Sequence, residues 1–425
     1  MHIPILILGG GITGLSTAYH LEQAGCTDYL LAEKEPVFGG LCASVHKDGF
    51  TLDYGGHLLH LHTPQGERLV RTLLGDNLAR HKRDARIFFE GKQIPFPFQA
   101  SLWALPEPVR RKCAAGLMQI AQNPPDKNAV FAHFEAWCLA HFGQGIYDVF
   151  MRPYNEKLWG CDLTALSCAW CNTFVPTPTL AQIQASLTRA PEQDFGYNAY
   201  FYYPKHGGIG ALTGALAQQI THKRASCAAT HIDFTRREVH LNGEIITYDT
   251  LVSTLPLPAL VRLITHAPEP IKTAAAQLSA QPVQVLHLAI ARETAPFSWI
   301  YFADKQLPFY RVGLQSGFSP DNAPEGTSLF YIEFSGSQKP DMALVRRALH
   351  QTGLLRPDDT ILLSHYQTLP HAYVRYDHAR DENVAQITAF LAGNHCFCAG
   401  RYGRWEYSFM EHNLTEGARL AQKLI

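Results

Sequence analysis

Residues 3–14 read IPILILGGGITG, an apolar strand running straight into three glycines with a fourth at position 14. The strand ends in a tight turn at Gly9, and Gly11 has no Cβ to keep a pyrophosphate from the backbone. Gly14 lets the following helix pack close to the sheet, so that its N-terminal N–H groups and positive dipole end point at the phosphates. The next apolar run, Tyr29-Leu30-Leu31-Ala32, ends at Glu33, where a carboxylate accepts hydrogen bonds from ribose hydroxyls about 20 residues beyond the glycines. Strand, glycine turn, helix over 15–25, second strand and acid follow one another in order. The segment therefore predicts a Rossmann-like dinucleotide-binding domain.

Working outward, residues 33–40 read EKEPVFGG, and DYGGHLLH follows at 53–60. An acid and Lys34 leading into the paired glycines Gly39 and Gly40 and then Leu41 resemble the second phosphate contact of the FAD-dependent amine oxidase and protoporphyrinogen oxidase superfamily. That resemblance implies FAD rather than NAD. Gly55, Gly56 and His57 complete the N-terminal constellation.

The chain has 425 residues, 46% of them hydrophobic, enough for two or three domains with full cores. Lys and Arg total 36 against 37 Asp and Glu, a net charge of −1 that offers no electrostatic footprint for nucleic acid or an anionic membrane. An anionic substrate must be met by a few local cations. The N-terminus lacks the cationic region and cleavage site of a signal peptide, and no apolar run reaches a membrane span, so a cytoplasmic protein is expected. The ten cysteines are scattered rather than arranged as a disulfide framework. Cys168 and Cys171 form an isolated C-x-x-C near Cys161, without a second pair at zinc spacing, and the 21 histidines show no ligand spacing either, so no metal is expected.

After His62 the texture turns helical, with apolar residues at helical spacing over 66–74, 101–122 and 128–150, punctuated by Pro95, Pro97, Pro124 and Pro125. FYYPKHGGIGALTGALAQQI (201–220) reads as a glycine turn into a helix, and LVSTLP (251–256) as a strand returning to the dinucleotide domain. From 283 to 373, runs such as VQVLHLAIA and SLFYIEF alternate with turns, as in an antiparallel sheet. The expected architecture is α/β: a discontinuous FAD-binding domain of the glutathione-reductase type (1–65, 198–262 and 386–425), an inserted helical domain (66–197) and an antiparallel β-sheet substrate domain (263–385).

Segments spanning nearly the whole chain resemble the UDP-galactopyranose mutases, in the order found in that family: DYGGHLLH, IPFPFQ (94–99), FMRPYNEKLWG (150–160), YPKHGGIGAL (203–212), LVSTLP, SWIYF (298–302), PFYR (308–311), AYVRYD (372–377) and GRYGRWEY (400–407). The resemblance implies non-covalent FAD, active when reduced. The N5 of that flavin attacks the anomeric carbon of a nucleotide sugar, so that pyranose and furanose forms interconvert without net redox change. It implies FAD contacts from the glycines, Glu33, Lys34, Leu41, His57, Gly400 and Arg401, with His57 beside the flavin ring. Phe96 corresponds to an aromatic stacked on the base and Gln99 to an amide that contacts it. Asn155 and Trp159 match the sugar pocket, Tyr301, Tyr373 and Tyr407 match phenols near the diphosphate, and Arg311 matches a diphosphate-binding arginine. His57 and Arg311 are the candidate catalytic residues.

Two departures stand out. Phe174 occupies the position of a second diphosphate arginine, and Phe318 replaces a further phenol, while Arg375 offers a cation from another side. Two other readings stay open. One is an FAD-dependent oxidoreductase of the amine oxidase or protoporphyrinogen oxidase type, the other a flavin protein that only binds a ligand. Beyond the nucleotide-sugar substrate, NAD(P)H is a candidate reductant, and the sequence does not give the oligomeric state.

Overall fold

His2–Leu8 lies inside a seven-stranded sheet, paired in parallel with Tyr29–Ala32 on one side and Glu244–Ser253 on the other. In this computed structural model, which describes residues 1–126, 129–190 and 199–425, Cys396–Cys398 adds a further parallel strand beside Glu244–Ser253. Burial of the end of His2–Leu8 on both faces explains the apolar run in the sequence: Leu6, Ile7 and Leu8 are all buried. The first helix, Ile12–Gln23, packs against the C-terminal helix Met410–Leu424. Their approach is so close that a Cβ on Gly417 would lie 2.6 Å from that of Ser16, whose hydroxyl donates to the Leu414 carbonyl. Residues from the two ends of the chain thus pack into one unit beside this sheet.

The second seven-stranded sheet runs in the order Ile361–Val374, Ala280–Ile290, Ser328–Ser335, Arg311–Leu314, Trp299–Phe302, Ala85–Phe89 and Lys92–Pro95. Two features differ from expectation. The hairpin 85–95 falls within the span expected to be helical, yet it forms one edge of this sheet, and its first strand pairs in parallel with Trp299–Phe302. The sheet is therefore mixed, antiparallel everywhere except at that junction.

Helices follow the hairpin. Glu107–Gln122 and Phe134–Ile146 cross closely at Gly116, Gly143 and Gly145, where a Cβ on Gly145 would come within 2.3 Å of the Lys112 carbonyl oxygen. A π-helical turn, Tyr147–Met151, leads into Arg152–Trp159. The helix expected from residue 128 begins at Phe134, and its expected first residue, Asn128, lies outside the described residues, as does the expected 197/198 boundary. Among the described residues no helix is long and apolar enough to cross a membrane, and no group of His, Cys, Asp or Glu is placed to hold a metal ion.

Candidate active site

A single cavity of about 950 Å³ runs from the glycine turn, past His57, into a chamber between the helices and the second sheet. At the turn, Gly9 has φ +101°, a conformation side chains resist, and a Cβ on Gly14 would sit 2.0 Å from the Gly9 carbonyl oxygen. Gly11, by contrast, faces open space: a Cβ there would meet nothing within 4 Å. The two glycine loops are tied together, since Gly39 N–H donates to the Gly10 carbonyl at 2.8 Å. Glu33 is buried and accepts from the N–H groups of Gly10 (2.6 Å) and Glu35 (2.9 Å), so it also fixes the shape of the turn. An open glycine face at a helix N-terminus, a second glycine loop and a buried acid beside it fit the pyrophosphate and ribose of FAD.

The chamber is built around one ion pair. Arg311 and Glu333 are directly opposite on adjacent antiparallel strands, and the guanidinium donates through Nε (2.8 Å) and Nη2 (2.6 Å) to the carboxylate. The Glu333 side chain is 4% exposed and that of Arg311 20%. Glycines make room for this strand: a Cβ on Gly55 would meet Glu333 Oε1 at 2.9 Å, and one on Gly313 would lie 2.0 Å from Cζ of Tyr331. Around the pair stand the phenols Tyr154, Tyr301, Tyr310, Tyr331, Tyr373 and Tyr407. Phe96 packs 5.0 Å from Tyr301, Tyr154 lies 5.4 Å from Tyr301, and Trp159 lies 5.8 Å from Tyr373.

Buried polar atoms without a hydrogen-bond partner gather on these walls: His57 Nδ1, Trp159 Nε1, Trp299 Nε1, Tyr310 OH, Tyr331 OH and Arg401 Nε. Unsatisfied buried donors are costly, so their concentration here marks a place for a polar ligand. Burial pushes the His57 imidazole down to about 4, the Arg401 guanidinium acting in the same direction and Glu333 against it, so His57 is neutral near pH 7. Arg401 donates to the carbonyls of Ser408 (3.2 Å) and Ala372 (2.6 Å) and lies over the Tyr407 ring at 4.5 Å.

Of the residues singled out in the sequence, Gly9, Gly11, Glu33, Lys34, Gly39, Gly40, Leu41, Gly56 and His57 line the cavity on the dinucleotide side, with Gly400 and Arg401. Phe96, Gln99, Asn155, Trp159, Tyr301, Arg311, Tyr373 and Tyr407 line the chamber. Gly14 and Gly55 stand behind the walls as the close packings just described. Several side chains already have internal partners: the Gln99 amide donates to the Pro176 carbonyl (2.5 Å) and that of Asn155 to the Met151 carbonyl (2.7 Å). Arg375 does not supply the expected cation. It donates to the Trp159 carbonyl and to Gln281 and does not line the cavity. Phe318 is likewise outside, packed against Phe201 and Tyr203. Phe174 does line the chamber, 4.1 Å from Tyr407 and 4.9 Å from Phe409.

Sequence reasoning missed Glu333, Tyr154, Tyr310 and Tyr331. The signal for Glu333 was present, since it is the one charged residue in the strand SLFYIEFS. The segments DYGGHLLH (53–60) and YPKHGGIGAL (203–212) are joined to each other behind the cavity: Asp53 accepts from Ser44 (2.6 Å), Tyr203 (2.5 Å) and the Ile209 N–H (3.2 Å). Burial raises this carboxyl to about 6, against the pull of those hydrogen bonds.

The sequence profile described as flavin containing amine oxidoreductase matches residues 12–425. The crystal structure of a reduced UDP-galactopyranose mutase superposes with a TM-score of 0.93 at 26% identity, covering 99% of this chain and 93% of that one. Human protoporphyrinogen oxidase is 23% identical over 327 residues, 67% of this chain and 66% of that protein. An uncharacterised protein of Methanothermococcus thermolithotrophicus is 47% identical over 55 residues, 13% of this chain. The chain thus spans about half the length of that last relative (52%) and just under two thirds of the human one (66%).

Proposed function

The chain belongs to the flavin containing amine oxidoreductase family, and from that premise we propose that it is an FAD-dependent sugar mutase, interconverting ring forms of a nucleotide sugar. The observation that carries the reading is the likeness, over 99% of the chain, to a reduced UDP-galactopyranose mutase. Bound and reduced, FAD supplies a nucleophilic nitrogen, with NAD(P)H the candidate reductant.

The protein's own part is to bind, orient and exclude water. The turn at Gly9 and Gly11, the loop at Gly39 and Gly40, and Glu33 hold the dinucleotide non-covalently. His57, neutral near pH 7, offers a hydrogen-bonding nitrogen at Nδ1 and would add no charge where a flavin ring would lie. The Arg311–Glu333 pair with its ring of phenols presents strong donors and acceptors to sugar hydroxyls and to the group that leaves. Trp159, Tyr154 and Phe96 close the chamber with apolar surface, which keeps water from an opened sugar.

The competing reading, net oxidation as in protoporphyrinogen oxidase, draws support from the human relative. Incubating the reduced protein anaerobically with UDP-, GDP-, CMP- and dTDP-sugars and resolving ring isomers by chromatography separates the two. A ring isomer formed only after reduction supports the mutase. In a parallel aerobic assay of the oxidised protein, steady oxygen consumption with an amine or porphyrinogen, independent of added reductant, gives the site to oxidation.

A further inference from the structure

The hairpin formed by Ser44–Lys47 and Phe50–Asp53 lies at a junction. Its first strand leaves the glycine loop, where Gly39, Gly40, Leu41 and Cys42 line the cavity, and its second runs into the turn where Tyr54, Gly56 and His57 line it. Ser44 and Asp53 face each other across the open end of the hairpin, and the Ser44 hydroxyl donates to Asp53 Oδ1 at 2.6 Å. Both segments that reach the cavity depart from this one contact.

A helix closes on it from the other side. At the start of Gly210–Gln218, the N–H of Ile209 donates to Asp53 Oδ1 (3.2 Å) and that of Gly210 to the Ser44 hydroxyl (2.8 Å). The fit is so close that a Cβ on Gly208 would lie 2.5 Å from Ser44 Oγ and 2.7 Å from Asp53 Oδ1. One turn along, the Thr213 hydroxyl donates to the Cys42 carbonyl (3.0 Å), and a Cβ on Gly39 would meet that hydroxyl at 2.7 Å. Asp53 Oδ2 accepts from Tyr203 (2.5 Å), whose oxygen in turn accepts from Asn322 (3.2 Å). Asp53 is 1% exposed, and neither it nor Ser44 lines the cavity. Without its carboxylate, Ser44, Tyr203 and the Ile209 N–H lose a buried acceptor, and the glycine loop and the His57 turn are no longer tied to each other or to the helix.

Resting on FAD as the cofactor but not on the mutase reading, we propose that Asp53 is a positioning residue for the flavin. Through Ser44 it holds the glycine loop that receives the pyrophosphate, and through its own strand it holds the turn that carries His57, so it sets the spacing between the two.

The test dilutes the FAD-loaded full chain and reads FAD release by flavin fluorescence, with visible circular dichroism of the bound flavin recorded at saturating FAD. Asp53→Ala and Ser44→Ala should each weaken FAD binding about tenfold or more and change the flavin's dichroism, whereas Asp53→Asn, which keeps an acceptor for Ser44, loses less. Because both residues act through one contact, the double variant Asp53→Ala with Ser44→Ala should fall within about twofold of Asp53→Ala alone. Asp359 serves as the control, since its side chain is also 4% exposed and is held by Arg292 (2.5 and 2.9 Å) outside the cavity. Asp359→Ala should lose stability yet keep FAD affinity within about twofold. Where Asp53→Ala does not fold, Ser44→Ala and Asp53→Asn decide. Unchanged FAD affinity or dichroism in the Asp53 and Ser44 variants, additive losses in the double variant, or an equal loss of affinity in Asp359→Ala overturns the proposal. Failure of the unaltered chain to bind FAD removes the cofactor assignment on which it rests.

Discussion

Arg311 and Glu333 set the chemistry of the chamber, and each depends on the other. A buried carboxylate deprived of its guanidinium is left uncompensated, which typically costs about 3–5 kcal/mol. Arg311→Ala should therefore lower the unfolding free energy by roughly that amount. Arg311→Met combined with Glu333→Gln should recover most of it without recovering ligand binding. Denaturant titration of the two variants beside the parent checks this, and equal stability of Arg311→Ala and the parent would contradict it. Glu33 makes a second residue-scale case. Its carboxylate holds Gly10 N–H and Glu35 N–H, so Glu33→Ala should weaken FAD binding by about 1–3 kcal/mol through a loosened turn and lost ribose contacts. The flavin retained after dialysis should fall while far-ultraviolet circular dichroism is kept.

At the scale of elements, the strand Arg311–Leu314 matters as much for what it omits as for what it carries. Gly313 lies against the Tyr331 ring so closely that Gly313→Ala must displace the ring or the strand, an overpacking that costs about 1–3 kcal/mol. The same shift moves Glu333, two residues from Tyr331 on its strand. The variant should thus lose ligand affinity as well as thermal stability, read by melting temperature and by titration. The dinucleotide unit was legible in the sequence because its signals are local: a strand, a glycine turn and an acid within thirty-odd residues. The hairpin 85–95 was not, because its strands are short, Pro95 ends its second strand with Pro97 just beyond, and its neighbour in the sheet is more than two hundred residues away. Tyr301 of SWIYF and Tyr373 of AYVRYD, singled out by resemblance, line the cavity, whereas the phenol of PFYR, Tyr310, was passed over for its neighbour Arg311. Arg375 was misjudged because a strand's register, invisible in composition, turns it onto Gln281. Glu333 was overlooked because an acid inside an apolar strand reads as an exception until its partner is known.

For the molecule as a whole, burial of titratable groups sets the acid response. His57, His60 and His287 are each lowered to about 4, chiefly by burial. Each is neutral when folded and regains its ordinary value near 6.5 on unfolding, so its contribution is complete above about 6.5 and is lost as the pH falls toward 4. Asp53, raised to about 6, works in the opposite sense: its contribution is present below the ordinary carboxyl value and lost as the pH rises through 6. His81, His365 and His371 are also lowered and Glu406 raised, each mainly by burial, so among the described residues six imidazoles against two carboxyls should make the denaturation midpoint fall between pH 6.5 and 4.5. His287→Gln, outside the cavity, should flatten that slope, the full shift of one such histidine being worth about 3 kcal/mol.

On the mutase reading this cavity rearranges a sugar without consuming electrons, and electron accounting tests that. Protein reduced once by a stoichiometric amount of dithionite and sealed from oxygen is given a large excess of the nucleotide sugar that the substrate panel identifies, while the flavin spectrum is followed and products are counted. Many ring-isomer molecules per flavin, with the reduced spectrum unchanged throughout, is the predicted result. Conversion of at most one substrate molecule per flavin, with the spectrum changing in step with product, would contradict it and mark the protein as an oxidoreductase.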